Sequence, residues 1–142
     1  MNKAEHIAQI KLERQQYNAA ISSRNVDAIC TFLTADYHVL TSAGTQSHGV
    51  EDQRRRWAVS FQADPIVLYR RRTRELRLNK PLDVAEELGN WAGKFTLNKQ
   101  IVLVAGVYSA KWQRQQNGFW LIQSEVFTTL RSINNPLTMT HG

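Results

Sequence analysis

Residues 107–128 read VYSAKWQRQQNGFWLIQSEVFT, two runs of alternating apolar and polar residues joined by Asn117-Gly118. Alternation with a period of two is typical of a half-buried β-strand, and Asn-Gly favours a tight hairpin turn. The stretch therefore predicts two long antiparallel strands, over 100–115 and 119–131.

A two- or four-residue loop at Asn117-Gly118 sorts the side chains of this hairpin into the same two faces. The first face is largely aromatic or apolar but contains an acid, and it holds Tyr108, Ala110, Trp112, Arg114, Leu121, Gln123, Glu125 and Phe127. The second face holds Val107, Ser109, Lys111, Gln113, Trp120, Ile122, Ser124 and Val126. A three-residue loop would break this grouping.

Glu125 is the unexpected residue on the first face. If that face lines an apolar cavity, desolvation favours the neutral acid, which could donate a hydrogen bond to a ligand oxygen. An ionised Glu125 could instead act as a base. The structural alternative is that Glu125 pairs with Arg114, or with an arginine of a neighbouring strand, and stabilises the sheet or a dimer surface. Both interpretations fit the sequence.

The rest of the chain adds three helices and further strands. Helices are predicted over 4–22, 26–35 and 50–61, a short strand and a turn-rich loop over 37–49, and long strands over 66–79, 82–96, 100–115 and 119–131. The apolar stripe of the first helix is Ile7, Ile10, Leu12, Tyr17, Ala20 and Ile21. This order indicates a single α+β domain over 4–131, in which helices cover one face of a curved sheet. Residues 132–142 are expected to form a flexible tail.

The composition is that of an ordinary globular protein, because 42% of the 142 residues are hydrophobic and 21% are charged. No apolar run approaches the roughly 20 residues of a membrane span, and the N-terminus has no apolar signal-peptide core, so a cytoplasmic protein is expected. Cys30, the single cysteine, lies among apolar residues and is predicted to be a buried hydrophobe. His38 and His48 have no further ligand at recognisable spacing, so we expect neither a metal nor another cofactor.

The net charge is +6, and eight of the twelve arginines lie within 54–77. Such a cluster could attract an anionic partner. The stretch YRRRTRELRL at 69–78 also fits an exposed edge strand, whose charges discourage edge-to-edge pairing. No zinc spacing, RNP-like aromatic motif or basic zipper accompanies the arginines, so nucleic-acid binding is not expected.

Three stretches resemble the NTF2-like superfamily, especially its SnoaL-like and DUF4440-type members. They are YHVLTSAGTQSHGVEDQRRRWAVSF (37–61), VAEELGNWAGKF (84–95) and GVYSAKWQRQQNGFWLIQSEVF (106–127), and the likeness covers about 4–131. The resemblance implies a cone in which three N-terminal helices pack on a strongly curved antiparallel sheet with a mixed edge. It also implies a conical ligand cavity and a homodimer. The superfamily includes enzymes, transport factors and association domains, so the likeness does not select a reaction.

The ketosteroid isomerase branch of this superfamily offers a residue-level comparison. Its oxyanion-donating tyrosine falls on Tyr17, but its general-base aspartate falls on Thr41 and its second donor, a protonated aspartate, falls on about Ala110. A threonine cannot take a proton from carbon at neutral pH with useful driving force, so steroid isomerisation is not expected. The pocket residues of the isomerase's last strand fall on Gln123, Glu125 and Phe127. The resemblance therefore selects the first hairpin face as the cavity lining.

Two tryptophans are further candidates for the cavity. Trp57 falls where the isomerases place a second tyrosine. Trp91 shares a strand face with Gly89 and Gly93, whose missing side chains would permit sheet curvature or leave room for a ligand. Both tryptophans, and Tyr17, could instead be core residues. The predicted catalytic residues are Tyr17 and Glu125, and the predicted ligand-binding residues are Thr41, Trp57, Trp91, Tyr108, Trp112, Gln123 and Phe127.

Three functions fit these observations. The first is the binding of a small, largely apolar molecule in the cavity. The second is a SnoaL-like isomerase, cyclase or hydrolase that uses Tyr17 and Glu125 as an acid/base or oxyanion pair. The third is a homodimeric association module without a ligand, whose outer sheet face would bury Trp120, Ile122 and Val126.

Overall fold

The computed structural model describes residues 1–136, and it confirms the α+β architecture. The helices are α1 (Lys3–Ser22), α2 (Val26–Cys30) and α3 (Val50–Ala63). The strands are β1 (Leu33–Thr41), β2 (Gln46–His48), β3 (Leu68–Leu78), β4 (Val84–Leu97), β5 (Gln100–Arg114) and β6 (Trp120–Pro136).

The six strands form one sheet in the order β2-β1-β6-β5-β4-β3. β1 pairs with β6 in parallel and the other neighbours are antiparallel, so β3 to β6 form the predicted meander and the sheet has a mixed edge. β3 is an edge strand, as predicted for YRRRTRELRL. The sheet curls without closing, and its inner face packs on the helices.

Several element boundaries differ from those predicted. α2 ends at Cys30 and β1 begins at Leu33, so the prediction of a helix to residue 35 is wrong. Pairing of Leu33 with Ile122 in β6 outweighs the local helical spacing there. A short strand, β2, lies where a loop was predicted, and β6 continues to Pro136 instead of ending near 131. The rest of the predicted tail, 137–142, lies outside the described residues.

α1 begins with a capping box, in which Asn2 and Glu5 exchange side-chain to backbone hydrogen bonds of 2.9 Å. Its buried face includes Ile10, Arg14, Tyr17 and Ile21, which recur at helical spacing. Leu12 is 53% exposed, so its inclusion in the apolar stripe is wrong. An arginine therefore lies on the buried face of this helix.

The turn between β5 and β6 is a three-residue loop, not the two- or four-residue loop assumed from the sequence. The Gln115 N–H donates to the Phe119 carbonyl (2.7 Å), and Gly118 has a φ of +90°, the left-handed conformation that such loops favour. Alone, this loop would place Glu125 opposite Ser109, on the other face of the hairpin.

A β-bulge restores the predicted pairing farther from the turn. The register shifts between Lys111 and Trp112, which leaves Gln123 as an extra residue in β6. Beyond the bulge, Glu125 pairs with Ala110, as the sequence predicted.

Between the three-residue loop and the bulge, the residues of β6 face the other way from the prediction. Trp120 and Ile122 are fully buried in the core, so the prediction that they lie on the outer face is wrong. Val126 does lie outside and is 43% exposed. Of the three apolar residues predicted on the outer face, only Val126 therefore lies there.

The free edge of β3 is covered by Asn18 of α1. The Asn18 side chain donates to the Arg71 carbonyl (2.7 Å) and accepts from the Arg71 N–H (3.0 Å), as a neighbouring strand would. Asn18 therefore protects the edge and holds the backbone of Arg71 in place.

Replacing Asn18 with alanine is expected to lower the free energy of unfolding by about 1–3 kcal/mol, because two half-buried backbone groups lose their partners. Urea unfolding measures the change. Gln16→Ala, at an exposed position of the same helix, is the matched control. Equal and small effects of the two substitutions would contradict the role given to Asn18.

Candidate functional site

A cavity of about 490 Å³ lies between α3, β1 and the inner face of the sheet. Six aromatic side chains line it: Tyr37, Trp57, Tyr69, Trp91, Phe95 and Phe127. Its volume lies in the range of about 300–1,000 Å³ that is typical of small-molecule sites. We call it the aromatic cavity.

Four of these rings contact one another in a continuous belt. Trp57 meets the Tyr69 ring at 6.1 Å between centroids, Tyr69 meets Trp91 at 6.3 Å, and Trp91 meets Phe127 edge-on at 5.7 Å. These separations and the tilted or edge-on geometries are favourable for aromatic pairs. The belt gives the cavity a wall of packed rings.

The glycines near Trp91 make room for rings and not for a ligand. A Cβ atom at Gly93 would lie 2.4 Å from the Tyr69 ring, and one at Gly89 would lie 2.5 Å from the Tyr108 ring. Both distances are too short for real contacts, so each ring needs a glycine beside it.

The charged side chains of the cavity wall are Arg56 and Arg71, and no carboxylate among the described residues lines it. Arg56 is exposed and donates to Asp52 (2.8 Å). Arg71 is only 7% exposed, and its Nη2 lies 3.6 Å from Glu125 Oε1, which is longer than a hydrogen bond. The wall is therefore cationic.

Two buried donors of this wall, Nε of Arg71 and Nε1 of Trp57, have no hydrogen-bond partner within residues 1–136. The rings of Tyr17 and Phe127 lie 5.1 and 4.7 Å from the guanidinium carbon of Arg71. Such cation–π contacts offset part of the cost of burying the charge, but they do not satisfy its N–H groups.

A second buried cation, Arg14 of α1, lies behind the cavity wall and is 1% exposed. Its Nη2 donates to Glu87 (2.6 Å) and lies 3.0 Å from Glu125 Oε2. The rings of Tyr108 and Trp112 lie 5.3 and 5.1 Å from its guanidinium carbon. Burial alone would lower the pKa of Arg14, but the charges of Glu125 and Glu87 raise it well above its usual value. Arg14 is therefore always charged.

Glu87 of β4 is fully buried and accepts hydrogen bonds from four residues. Besides Arg14, these are Thr73 (2.7 Å), Tyr108 (2.5 Å) and Trp112 (2.9 Å). Burial alone would raise the pKa of Glu87, but the Arg14 charge and the hydrogen bonds lower it to about 2. Glu87 is therefore an ionised anchor that joins α1 to the sheet.

Glu125 lies on the inner face of the sheet and is 1% exposed. The Tyr37 hydroxyl donates to its Oε1 (2.8 Å), and Arg14 faces its Oε2. Burial and the neighbouring Glu125 charge raise the pKa of Tyr37 well above its usual value, so this hydroxyl stays a donor. Arg114, one of the predicted partners, donates instead to the Leu82 carbonyl (2.7 Å). The ion pairs of Glu125 are therefore made with α1 and β3.

The remaining candidate ligands do not form a metal site. His38 and His48 stack across β1 and β2 at 6.0 Å, in exposed positions. In the part of the chain that the structure describes, no group of three or more His, Cys, Asp or Glu side chains could hold a metal ion.

Cys30 is buried, as predicted. None of the described helices combines the length and the apolar character that crossing a membrane requires.

Several solved structures are similar to this chain over most of its length. A ketosteroid isomerase-like protein from Erwinia carotovora atroseptica gives a TM-score of 0.74 at 14% identity, over 92% of this chain and 99% of that one. A domain of unknown function with a cystatin-like fold from Nostoc punctiforme gives 0.68 at 13%, over 89% and 77%. The hexachlorocyclohexane dehydrochlorinase LinA-type3 from Novosphingobium barchaimii gives 0.70 at 17%, over 99% and 95%. The chain has an NTF2-like fold.

No family model and no curated protein matches the chain. At identities of 13–17%, the similarity to these structures establishes the NTF2-like fold and not an activity. The finer placement among SnoaL-like and DUF4440-type members stays a prediction.

Four of the predicted ligand-binding residues line the cavity of this NTF2-like fold, and they are Thr41, Trp57, Trp91 and Phe127. The other three lie elsewhere. Tyr108 and Trp112 donate to Glu87 behind the cavity wall. Gln123 is the extra residue of the β-bulge, and its amide donates to Asp36 at the surface (3.0 Å), so Gln123 lies outside the cavity.

Neither predicted catalytic residue is part of the wall of the aromatic cavity. Tyr17 is fully buried against Arg14 and Arg71, and its hydroxyl has no hydrogen-bond partner among the described residues. Burial raises the pKa of Tyr17 to about 12, so the phenol is protonated at neutral pH. Glu125 is held by Tyr37 and Arg14. Their assignment to catalysis stays a prediction.

Sequence reasoning missed four residues that build the site, and they are Arg14, Tyr37, Arg71 and Glu87. Strand alternation indicated an inner position for two of them. Arg71 lies two residues after Tyr69 and Glu87 lies two residues before Gly89, and residues two apart on a strand share a face. Helical spacing carried a signal for Arg14, which lies four residues after Ile10. For Arg14, Arg71 and Glu87, however, the charge of the side chain suggested an exposed position.

Proposed function

We propose that the protein binds a small, largely apolar molecule in the aromatic cavity. The observation that carries this proposal is the belt of packed rings around about 490 Å³ of space. Aromatic side chains present large apolar surfaces, and an apolar ligand that displaces water from them gains free energy. A largely apolar wall with a few polar groups is typical of small-molecule sites.

An isomerase, cyclase or hydrolase that uses Tyr17 and Glu125 is the alternative, and it has less support. Such an enzyme needs both groups to reach one ligand. Glu125 is engaged by Tyr37 and Arg14, and Tyr17 lies outside the cavity wall. The geometry therefore favours binding over turnover.

A homodimeric association module keeps one observation in its favour. Leu40 and Val126 pair between β1 and β6, and they are 38% and 43% exposed on the outer face. Trp120 and Ile122, two of the three residues predicted for the dimer face, lie in the core instead. The homodimer stays a prediction, and a measurement of the molecular mass in solution tests it.

Binding is tested with naphthalene-2-carboxamide, an uncharged bicyclic aromatic probe. At about 0.3 kcal/mol per non-hydrogen atom, its roughly thirteen atoms predict a Kd of about 1 mM or tighter. Titration calorimetry measures this Kd. The fluorescence of Trp57 and Trp91, which both line the cavity, provides a second readout.

Val104→Trp is expected to weaken binding by about tenfold or more, because the new side chain occupies the space of the ligand. Leu103→Trp is the matched control on the same strand: Leu103 is 40% exposed on the outer face, and its substitution should change Kd by less than about twofold. Absence of binding by the wild-type protein would contradict the proposal. Equal binding by the two variants, each checked for folding by circular dichroism, would contradict it as well.

A further inference from the structure

We propose that the ligand of the aromatic cavity carries a carboxylate and that Arg71 binds this group. The inference rests on the proposed function and names the chemical class of the ligand, a flat and largely apolar monocarboxylic acid. Three features carry it: the unused hydrogen-bonding capacity of Arg71, the positive charge of the wall, and the free indole N–H of Trp57.

Arg71 is a buried cation whose donors are not all used. A guanidinium has five N–H donors. The Nε–H of Arg71 has no acceptor in the described part of the chain, and Glu125, the one described carboxylate within ion-pair distance, lies 3.6 Å from Nη2. Burial of an unpaired donor is unfavourable, and more so for a charged group. A ligand oxygen at this position would remove that cost.

Arg14, the other buried guanidinium, is compensated much more closely. Its Nε and Nη2 donate to Glu87 at 2.6–3.2 Å, and Nη2 lies 3.0 Å from Glu125. Its Nη1 lacks a partner too, but Arg14 is not part of the cavity wall. Glu125 also accepts a hydrogen bond from the Tyr37 hydroxyl, so Arg71 is one of three groups that its carboxylate faces. Arg71 is therefore the less compensated of the two cations.

The cavity wall favours an anion over a neutral ligand. Its charged side chains, Arg56 and Arg71, are both cations, and no carboxylate lines it within residues 1–136. Arg56 is paired with Asp52 (2.8 Å), whereas Arg71 has only the longer 3.6 Å contact with Glu125, so Arg71 is the less closely paired cation of the wall. The indole N–H of Trp57, which can only donate, is buried without a partner as well. A carboxylate would bring to this wall both a hydrogen-bond acceptor and a negative charge.

The geometry of arginine favours a carboxylate over other anions. The planar guanidinium binds the two oxygens of a carboxylate through two parallel N–H bonds. A phosphate group would bring up to two negative charges into an aromatic cavity whose wall has one cation without a close ion-pair partner. One incompletely paired cation suits a single negative charge, and the belt of rings suits the apolar body of the acid.

The test compares naphthalene-2-carboxylate with naphthalene-2-carboxamide, which have nearly the same shape and differ in charge. The wild-type protein is expected to bind the acid about tenfold more tightly, or better, at pH 7. Arg71→Gln is expected to abolish this preference, so that its Kd values for the acid and the amide agree within about twofold. Arg72→Gln is the matched control: Arg72 is the next residue of β3 and is exposed, so its loss should leave the preference intact.

Each outcome decides between the proposals. Equal affinities of the wild-type protein for the two probes would overturn the role of Arg71 and leave the proposed function standing, whereas failure to bind either probe would overturn both. A preference that survives in Arg71→Gln, or that Arg72→Gln abolishes equally, would also overturn the role of Arg71. If Arg71→Gln does not fold, Arg71→Lys replaces it, because lysine keeps the charge without the planar fork. The lysine variant must reduce the preference by about threefold or more, and an unchanged preference overturns the inference.

Discussion

Replacing Glu87 with glutamine is expected to lower the free energy of unfolding by about 3–5 kcal/mol, the range found when one partner of a buried ion pair is removed. Glutamine keeps the shape but turns one acceptor oxygen into a donor NH₂ group. In the wild-type protein every hydrogen-bond partner of that carboxylate donates, namely Arg14, Thr73, Tyr108 and Trp112. The new amide group would face at least one donor, and Arg14 would lose one of its two compensating charges.

The same carboxylate makes stability depend on pH in the acid range. The pKa of Glu87 is about 2 in the folded protein, against an ordinary value of 4.5. A lowered folded-state pKa contributes stability that is complete above the unfolded-state pKa and is lost as the pH falls towards the folded-state value. The free energy of unfolding of the wild-type protein should therefore fall more steeply between about pH 4.5 and pH 2 than that of Glu87→Gln, which has no carboxylate there to protonate.

Glu86→Gln is the matched control for this prediction. The side chain of Glu86 is 56% exposed and lies 4.0 Å from Arg77, so its neutralisation should change the free energy of unfolding by less than about 0.5 kcal/mol. Urea unfolding at pH 7 and through the acid range measures all three proteins. Similar losses for the two variants, or parallel pH curves for Glu87→Gln and the wild type, would show that Glu87 is not an ionised anchor.

The fold class could be predicted because its evidence is local. The alternating runs on either side of Asn117-Gly118 and the helical spacing in α1 each lie within a short stretch of sequence. The parallel pairing of β1 with β6 is not local, because it joins Val39 to Glu125 across most of the chain. Residue patterns alone indicated an α+β domain, and only the resemblance to a family indicated that the sheet has a mixed edge.

The faces of the β5–β6 hairpin show where the prediction of the site failed. The grouping is right for Glu125 and Ala110 but wrong for Trp120 and Gln123, because the three-residue loop and the β-bulge each shift the register by one residue. The bulge lies beside Trp112, which is fully buried and donates to Glu87, and no alternation in the sequence marks it. Tertiary packing sets its position.

The buried charges could not be predicted for a related reason. Arg14 and Glu87 are 73 residues apart in sequence, and neither has a nearby residue that suggests a partner. A charged residue on an amphipathic helix or strand is ordinarily exposed, so residue type gave no reason to place either of them in the core. The position of each residue on its helix or strand indicated burial, whereas its charge indicated exposure.

Replacing Trp120 with alanine is expected to lower the free energy of unfolding by about 3–5 kcal/mol, as for other large buried aromatic side chains. Trp120 is fully buried, its Nε1–H donates to His6 Nδ1 (3.1 Å), and the two rings pack edge-on at 5.5 Å. The substitution would leave a cavity between α1 and β6 and a buried His6 nitrogen without its donor. Urea unfolding at two protein concentrations and light scattering measure the result.

Phe119→Ala is the matched control, because Phe119 is the preceding residue and is 59% exposed at the turn. Its loss should cost less than about 1 kcal/mol. If Trp120 belonged to an outer dimer face instead, its substitution would reduce the solution mass and make stability depend on protein concentration. Substitution of a core residue instead lowers the stability of each chain and does not change the mass in solution. An effect of Trp120→Ala as small as that of Phe119→Ala, or a change in mass at unchanged stability, would therefore place Trp120 at the surface and refute the register that the three-residue loop sets for this part of β6.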